Sequence, residues 1–222
     1  MDNKLHESIK GPAVAVDTVL FTIQSHKLEI LLIQIGSGPY QNKWALPGGL
    51  ISLNETPEQA AIRSIISKTN IIPGHLEQLY TFGDINRDVR GQIISIAYLL
   101  LIENPEKLRI KKADYYKDIH WFSVKSLPEM AFDHQKIVKT AYERLKSKML
   151  YSNIAYSLLP QIFTLTELQI VYEVVWGKRL DKRNFRKKIL ATGIVTPTEK
   201  IKRGAYRPAL LYKFSKEEVV YF

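Results

Sequence analysis

The 222-residue sequence contains no cysteine, and this absence excludes several kinds of site. There can be no disulfide, no thiolate zinc site and no cysteine nucleophile, and a cytoplasmic location is the simplest expectation. Long apolar runs are also missing. The longest, Ile93 to Ile102, is interrupted by Ser95 and is well short of the roughly 20 residues that cross a bilayer. Met1 to Lys10 is polar and lacks the apolar segment of a secretory signal, so we expect no association with a membrane.

The net charge of +10 is concentrated in the last third of the chain. From Met1 to Ser147, 18 basic and 16 acidic residues give +2, whereas from Lys148 to Phe222, 14 basic and 6 acidic residues give +8. A basic unit of this size is typical of a surface that binds nucleic acid, although a merely soluble basic surface has the same composition. We therefore predict two domains, 1–150 and 151–222.

The first domain is predicted to be built mainly of strands. A hairpin is expected over Ala13–Ile23 and Leu28–Ile35, and Thr56 begins a capped helix that runs to about Thr69. Further strands and helices follow. The strands are expected at Leu76–Gly83, Gln92–Ile102 and Trp121–Val124, and the helices at Leu127–Met130 and His134–Leu150, with Asp133 as the cap of the last helix.

The second domain is predicted to contain two short helices and two strands. Thr164 and Glu167 form a capping box, Gly177 ends the first helix, and Asp181 caps a second helix over Lys182–Ala191. Strands are expected at Ile194–Pro197 and Pro208–Phe214. Two helices joined by a tight turn and followed by a strand pair indicate a winged helix-turn-helix.

The second of these helices has the composition of a helix that reads DNA. Arg and Lys can contact guanine or phosphate, and Asn can pair with adenine. The predicted DNA-binding residues lie on this helix and on the wing: Lys182, Arg183, Asn184, Arg186, Lys187, Lys202, Arg203 and Arg207. A small basic domain that binds another protein is the alternative.

A motif in the first domain resembles the Nudix box, G-x5-E-x7-R-E-U-x-E-E-x-G-U, in which U is aliphatic. Gly49, Glu55 and Arg63 have its spacing, and Trp44-x-Leu46-Pro47-Gly48-Gly49 has its lead-in. The resemblance implies an α/β/α sandwich around a mixed sheet, and hence an α+β chain once the winged helix is added. It also implies helix glutamates that bind Mg²⁺ and activate water at a diphosphate.

The glutamates of that pattern are missing from this chain. Their positions hold Ser64, Ser67 and Lys68, and the glycine position holds Asn70. One acid, Glu55, is left, and a hard divalent cation needs several oxygen ligands. We therefore expect no metal site, no cofactor and no catalytic residue in this box. Glu55 and Arg63 are interpreted as a structural pair that fixes the loop to the helix, with a catalytic role as the alternative.

Candidate effector-binding residues lie elsewhere in the first domain. Arg87, Asp88 and Arg90 cluster before an apolar strand, where arginine can bind phosphate or sugar hydroxyls, although a solvated charged loop is the alternative. Trp44 and Tyr98 are expected to line the cavity, although aromatic residues of a sheet more often belong to the core. No His/Asp/Glu cluster has metal-ligand spacing.

The combination resembles the NrtR-type family of Nudix-related transcriptional regulators over nearly the whole chain. The motifs that carry it include Arg87-Asp88, Phe132-Asp133-His134, Leu159-Pro160 and Asp181-Lys182-Arg183-Asn184-Phe185-Arg186-Lys187, and the C-terminal run is especially similar to an arabinose-responsive member. The resemblance implies a homodimeric repressor that binds a palindromic operator in double-stranded DNA. Its release would follow the binding of a sugar or an ADP-ribose-like effector.

Three hypotheses are therefore open. The first and favoured one is an effector-responsive regulator. The second is a Nudix hydrolase acting on a compound such as ADP-ribose, which the missing glutamates disfavour. The third is a protein-interaction adaptor, which the agreement of charge, helix spacing and wing disfavours.

Overall fold

The computed structural model describes residues 11–74, 76–103, 105, 116–203 and 208–222. In this part of the chain, seven N-terminal strands form one sheet that has a helix on each face. The strands are β1 (Ala13–Gln24), β2 (Lys27–Ile35), β3 (Trp44–Ala45), β4 (Gly48–Leu50), β5 (Leu76–Phe82), β6 (Ile93–Ile102) and β7 (Tyr116–Ser123). The helices are α1 (Pro57–Thr69) and α2 (His134–Lys148).

The sheet is mixed because β1 pairs with β6 in parallel and with β2 and β4 antiparallel. Strand alternation sends successive side chains to opposite faces. Leu20 is buried with Ile65 of α1, and the neighbouring Phe21 is in the core cluster that contains Ile137 of α2. The α/β/α sandwich around a mixed sheet is thereby confirmed.

The helix α1 begins and ends at the residues that the sequence predicted. The Thr56 hydroxyl accepts from the Gln59 amide, the Gln59 side chain accepts from the Thr56 amide, and Asn70 adopts the left-handed conformation at the end. The hairpin between β1 and β2 is also confirmed. Its turn residues, Ser25 and His26, both have positive φ, which matches the twist of a two-residue hairpin loop.

Two expectations for the segment before α2 were wrong. No helix forms over residues 127–130, because Leu127 precedes Pro128, which disfavours the helical region. Met130 instead forms a β-bridge with Trp44. Asp133 makes no side-chain cap on α2, and its Oδ1 instead forms an ion pair with Arg87. The strand β7 also begins earlier than predicted, at Tyr116.

The C-terminal part is a winged helix-turn-helix. It contains a 3-10 helix (Ile154–Leu158), β8 (Phe163–Thr164), α3 (Leu165–Trp176), α4 (Lys182–Ala191), β9 (Val195–Lys202) and β10 (Ala209–Phe214). The capping box of Thr164 and Glu167, the left-handed Gly177 and the Asp181 cap are confirmed. The β10 strand lies between β8 and β9 in a small sheet, so the wing is anchored to the start of α3.

One hydrophobic core connects the two parts of the chain. The cluster that holds Phe21 and Ile137 continues to Leu168 of α3 and Phe185 of α4. Hydrogen bonds cross the same contact, since the Tyr142 hydroxyl donates to the carbonyl of Val175 at 2.9 Å. Because the core is continuous, the domain boundary near residue 150 stays a prediction. In the described residues, no helix is long and apolar enough to span a membrane.

Candidate effector cavity and nucleic-acid interface

A cavity of about 220 Å³ lies between β1, β4, the end of α1 and the start of α2. Polar and charged side chains from distant parts of the sequence converge on it, together with two aromatic rings. They are Asp17, Lys68, Arg87, Asp88, Arg90 and His134, with Tyr116 and Phe132. The predicted cluster Arg87, Asp88 and Arg90 therefore lies on the wall of one cavity.

Asp17 is the central group of the cavity and is buried. The Ser95 hydroxyl donates to its Oδ2 at 2.6 Å, and Nε2 of His134 lies 3.3 Å from its Oδ1. The other ring nitrogen of His134, Nδ1, accepts from the Leu46 amide at 2.9 Å, which leaves the Nε2 proton for Asp17. Burial alone would raise the pKa of Asp17, but His134, Ser95 and Arg87 together hold it below its usual value.

The two arginines of the cavity are each neutralised by an acid. Nη2 of Arg87 lies 2.8 Å from Oδ1 of Asp133 and 3.4 Å from Oδ2 of Asp17. Arg90 donates to both carboxylate oxygens of Asp88 through Nε and Nη2. Burial opposes ionisation of Asp88, yet the hydrogen bonds from Arg90 lower its pKa. The cavity therefore offers donors and acceptors with little uncompensated charge.

Lys68 extends into the cavity from the last turn of α1. Its ammonium donates to the carbonyl of Gly48 and lies 5.2 Å from the centre of the Tyr116 ring. Burial lowers the pKa of Lys68 to about 8, although the charge of Asp17 opposes this shift. Gly48 must be glycine here, because a Cβ at this position would collide with the Asp17 side chain and the Val16 carbonyl.

The other two positions where the Nudix pattern has glutamate hold no acid. The Ser64 hydroxyl is buried and has no hydrogen-bond partner among the described residues. Ser67 is exposed, and its hydroxyl donates to the carbonyl of Ser64. In the described part of the chain, no group of three or more His, Asp or Glu side chains could hold a metal ion. Two serines and the ammonium of Lys68 supply no carboxylate oxygen at these three positions, so the residues present do not fit a divalent cation.

Glu55 and Arg63, the remnant of the box, form an ion pair. Arg63 donates from Nε and Nη2 to the two carboxylate oxygens of Glu55, and Nη2 also donates to the Leu50 carbonyl. The hydrogen bond from Arg63 is the main reason that the pKa of Glu55 is lowered to about 2. Gly49 packs closely against α1, and a Cβ at this position would lie 3.4 Å from the Ser64 hydroxyl oxygen.

Trp44 and Tyr98 are not among the residues that line the cavity, which corrects their expected place. Tyr98 packs under α1 with Val16, Ala60 and Ala61, because its position on β6 faces that helix. The Trp44 ring packs edge-on against Phe122, with 4.6 Å between ring centres. Sequence reasoning missed Asp17 as a cavity residue, although an acid inside the apolar run of β1 is a usable signal.

The helix α4 presents its basic residues to solvent. Lys182, Arg183, Asn184 and Lys187 are exposed, whereas Phe185 and Ile189 are buried on the opposite side. Arg186 is partly buried and donates to the Thr166 hydroxyl at 3.3 Å. The basic residues of the predicted reading face are thus accessible, whereas Asn184 lines an apolar pocket together with Lys188.

The wing and α4 border a common groove of about 820 Å³. Its basic residues are Lys182, Arg186, Lys202 and Arg203. The Lys202 ammonium lies 2.7 Å from Oε1 of Glu167, the capping-box acid of α3. Burial opposes the ionisation of Glu167, but Lys202 and Thr164 lower its pKa. Arg207, the remaining predicted wing residue, is outside the described residues.

Comparison with known proteins matches two family models to different parts of the chain. A family model described as a NUDIX domain matches residues 11–141, and one described as the NrtR DNA-binding winged helix domain matches residues 155–214. The "ADPR responsive transcriptional repressor NtrR" of Acinetobacter baylyi is 34% identical over 94% of this chain and 84% of its own. The chain belongs to the NrtR-type family of Nudix-related transcriptional regulators.

Further similar proteins include structures solved with DNA and with ADP ribose, and an ADP-ribose pyrophosphatase. The structure of Shewanella oneidensis NrtR complexed with a 27mer DNA has a TM-score of 0.79 and 34% identity, covering 91% of this chain and 93% of that one. The NUDIX domain of the same protein complexed with ADP ribose has a TM-score of 0.57 and 33% identity, covering 64% and 94%. An ADP-ribose pyrophosphatase of Methanocaldococcus jannaschii is 36% identical over 66% of this chain and 82% of its own.

Proposed function

We propose that this NrtR-type protein is a repressor that binds operator DNA through α4 and its wing and is released when a small effector occupies the Nudix-like cavity. The observation that carries the proposal is the exposed basic face of α4 beside a basic groove shared with the wing. In a winged helix-turn-helix, the second helix enters the major groove and the wing contacts the adjacent backbone or minor groove. A homodimer would place two such helices about 34 to 36 Å apart, which requires a palindromic site.

A pair of substitutions on one helix tests the DNA-binding part. Arg183 and Lys188 are both exposed basic residues of α4, but Lys188 lines an apolar pocket on the side away from the wing groove. The Arg183→Ala variant should weaken binding to a duplex selected from random sequence by roughly 1 to 3 kcal/mol if Arg183 makes a bidentate base contact. Lys188→Ala is the matched control and should bind nearly as tightly as the wild type. Equal losses for the two variants, measured by fluorescence anisotropy, would contradict the assignment of the reading face.

The chemistry of the cavity favours a hydroxylated sugar moiety as the group that binds there. The arginines are already paired with Asp88 and Asp133, so a diphosphate would have to displace carboxylates, while hydroxyl groups can donate to acids and accept from bases. The volume of about 220 Å³ is below the roughly 300 to 1,000 Å³ of a site that encloses a drug-sized ligand. A free monosaccharide or the terminal ribose of an ADP-ribose-like ligand fits these limits.

Effector control requires that the effector bind the DNA-free form more tightly than the DNA-bound form. A thermal-shift screen with pentoses, hexoses and ADP-ribose identifies the effector, because ligand binding raises the stability of the native state. The identified effector should then lower affinity for the selected duplex. An effector that binds without changing that affinity would contradict the proposed control.

A second candidate function is hydrolysis, which the resemblance to the ADP-ribose pyrophosphatase favours. Two observations disfavour hydrolysis. Three positions of the box lack acids, and the Lys68 ammonium in the last turn of α1 repels a divalent cation. We infer that the box is catalytically degenerate. Release of phosphate-containing products from ADP-ribose with Mg²⁺, absent when Mg²⁺ is withheld, would overturn this inference.

A further inference from the structure

An open cleft of about 760 Å³ lies between the Nudix-like part and the winged helix. One wall is formed by the β1–β2 turn and the residues that follow β7, and the other by α3 and the turn before α4. Among the described residues, its lining shares no member with the effector cavity or the wing groove.

The cleft is strongly basic, and its cations come from both parts of the chain. Lys27 and Lys125 belong to the Nudix-like wall, and Lys178 and Arg179 belong to the turn before α4. All four side chains are exposed. Glu173 is the acid of this lining, and its Oε1 already accepts from the Leu180 amide at 2.8 Å. The four cations and one acid give a formal charge of +3.

The two parts of the chain that form the walls are held together by hydrogen bonds between α2 and α3. Tyr142, on the floor of the cleft, donates to the Val175 carbonyl, and the indole nitrogen of Trp176 donates to the Lys146 carbonyl at 3.2 Å. The Lys125 ammonium reaches Gly177, where a Cβ would lie 3.9 Å from it. The cations of the two walls therefore face one another before any partner binds.

We propose that this interdomain cleft binds the sugar-phosphate backbone of DNA beside the half-site that α4 reads, so that Lys27 and Lys125 contact the operator directly. The inference rests on the proposed function as a DNA-binding protein and adds the Nudix-like part to the contact surface. Lys178 and Arg179 lie in the turn that leads to Asp181, the cap of α4, so the basic surface of the cleft continues toward the reading helix. Phosphate contacts on either side of a reading element set its register on the duplex.

The form of the cleft favours a polyanion over a small anion. Its cations are exposed and spread over both walls, which gives attraction to a row of phosphates and a strong dependence on salt. The single acid is turned into the helix-turn-helix by its hydrogen bonds to Leu180 and Gln169. Its remaining influence on an incoming phosphate is therefore small compared with that of the four cations.

The salt dependence of DNA binding tests the proposal on the full-length protein. The double variant Lys27→Gln/Lys125→Gln is compared with Lys117→Gln/Lys139→Gln, which removes the same charge from exposed lysines of the Nudix-like part outside the cleft. Affinity for a duplex selected by the wild type is measured by anisotropy over a series of NaCl concentrations. Equal melting temperatures for all three proteins establish that they are folded.

The cleft variant should reduce the slope of log K against log [NaCl] by about 1.8, since each phosphate contact contributes about 0.9. Its affinity at 0.1 M salt should fall on the order of tenfold, for selected and scrambled duplexes alike. The control should keep the wild-type slope.

Equal slopes for both variants would overturn the inference while leaving the proposed function intact, and a wild type that binds no duplex would overturn both. Stabilisation of the wild type, but not of the cleft variant, by inorganic pyrophosphate with an unchanged DNA slope would assign the cleft to a small anion and overturn the inference as well.

Discussion

The ammonium of Lys202, on the wing, lies 2.7 Å from Oε1 of Glu167 in the first turn of α3. The other carboxylate oxygen of Glu167 accepts from the amide of Thr164, so one side chain both caps a helix and holds the wing. The pair places a negative charge within the basic groove between the wing and α4. A phosphate entering the groove must compete with Glu167 for Lys202.

The Glu167→Gln variant should therefore bind DNA more tightly than the wild type. Glutamine keeps the capping geometry, but it no longer neutralises Lys202, so the slope of log K against log [salt] should become steeper by up to about 0.9. Anisotropy titrations at several NaCl concentrations measure both effects. Glu199→Gln, an exposed acid of β9, is the matched control. A Glu167→Gln variant with no gain over this control would show that Lys202 does not contact phosphate.

A second prediction concerns the buried Asp17 cluster and acid. The folded-state pKa of Asp17 is lowered from the ordinary value of 3.8, so its ionisation stabilises the fold above about pH 4 and this contribution is lost as the pH falls through the lowered value. Asp17→Asn leaves Arg87 paired with Asp133 but removes the charge that Arg87 and His134 face.

We expect Asp17→Asn to lower the free energy of unfolding at pH 7 by about 1 to 3 kcal/mol, with a smaller loss on acidification than the wild type shows. Urea unfolding at pH 7 and at a pH well below the ordinary value of 3.8 measures this. The exposed Asp118→Asn should behave like the wild type at both values. An identical acid dependence for Asp17→Asn and the wild type would contradict the account.

A third prediction uses the lowered pKa of Lys68. The value of about 8 lies below the ordinary 10.5, so the unfolded chain binds more protons between these limits and stability attributable to Lys68 rises with pH across that window. Lys68→Met keeps the length of the side chain without the charge. From pH 7.5 to 10, the free energy of unfolding of the wild type should rise relative to that of Lys68→Met. A constant difference across this range would show that Lys68 is not desolvated.

A fourth prediction compares Tyr142 of α2 with Tyr172 of α3. The Tyr172 hydroxyl is buried without a partner among the described residues, and burial raises its pKa to about 12. Tyr172→Phe should leave stability unchanged or increase it by up to about 1 kcal/mol, because no hydrogen bond is lost. Tyr142→Phe removes the bond to Val175 and should decrease stability by about 0.5 to 1.5 kcal/mol. Denaturant unfolding measures the stability of the two variants. Equal losses of stability would contradict the assignment of hydrogen-bond partners to the two hydroxyls.

The features that the sequence predicted well depend on neighbouring residues. The caps of α3 and α4 at Thr164 and Asp181 follow from side chains that reach amides three positions away, and Gly177 ends α3 by its own backbone conformation. Such interactions are nearly independent of the rest of the fold, and the boundaries of α4 were therefore predicted correctly.

The cavity depends on contacts that no local pattern encodes. Asp17 meets Ser95 across the parallel β1–β6 pair and His134 at the start of α2, so its role follows from strand order. The same limit explains Trp44 and Tyr98, since the face on which a strand residue lies depends on register as well as residue type. The helix predicted at residues 127–130 does not form, because Pro128 disfavours the helical conformation of Leu127.

The continuous core between the Nudix-like part and the winged helix means that the two parts are not interchangeable modules. Leu168 and Phe185 pack in the same cluster as Phe21 and Ile137, so a winged helix transplanted onto another Nudix domain would lack a complementary surface. Substitutions that change effector specificity are then confined to the residues that line the cavity. Residues of the Nudix-like part that pack on α3 must change together with α3 itself.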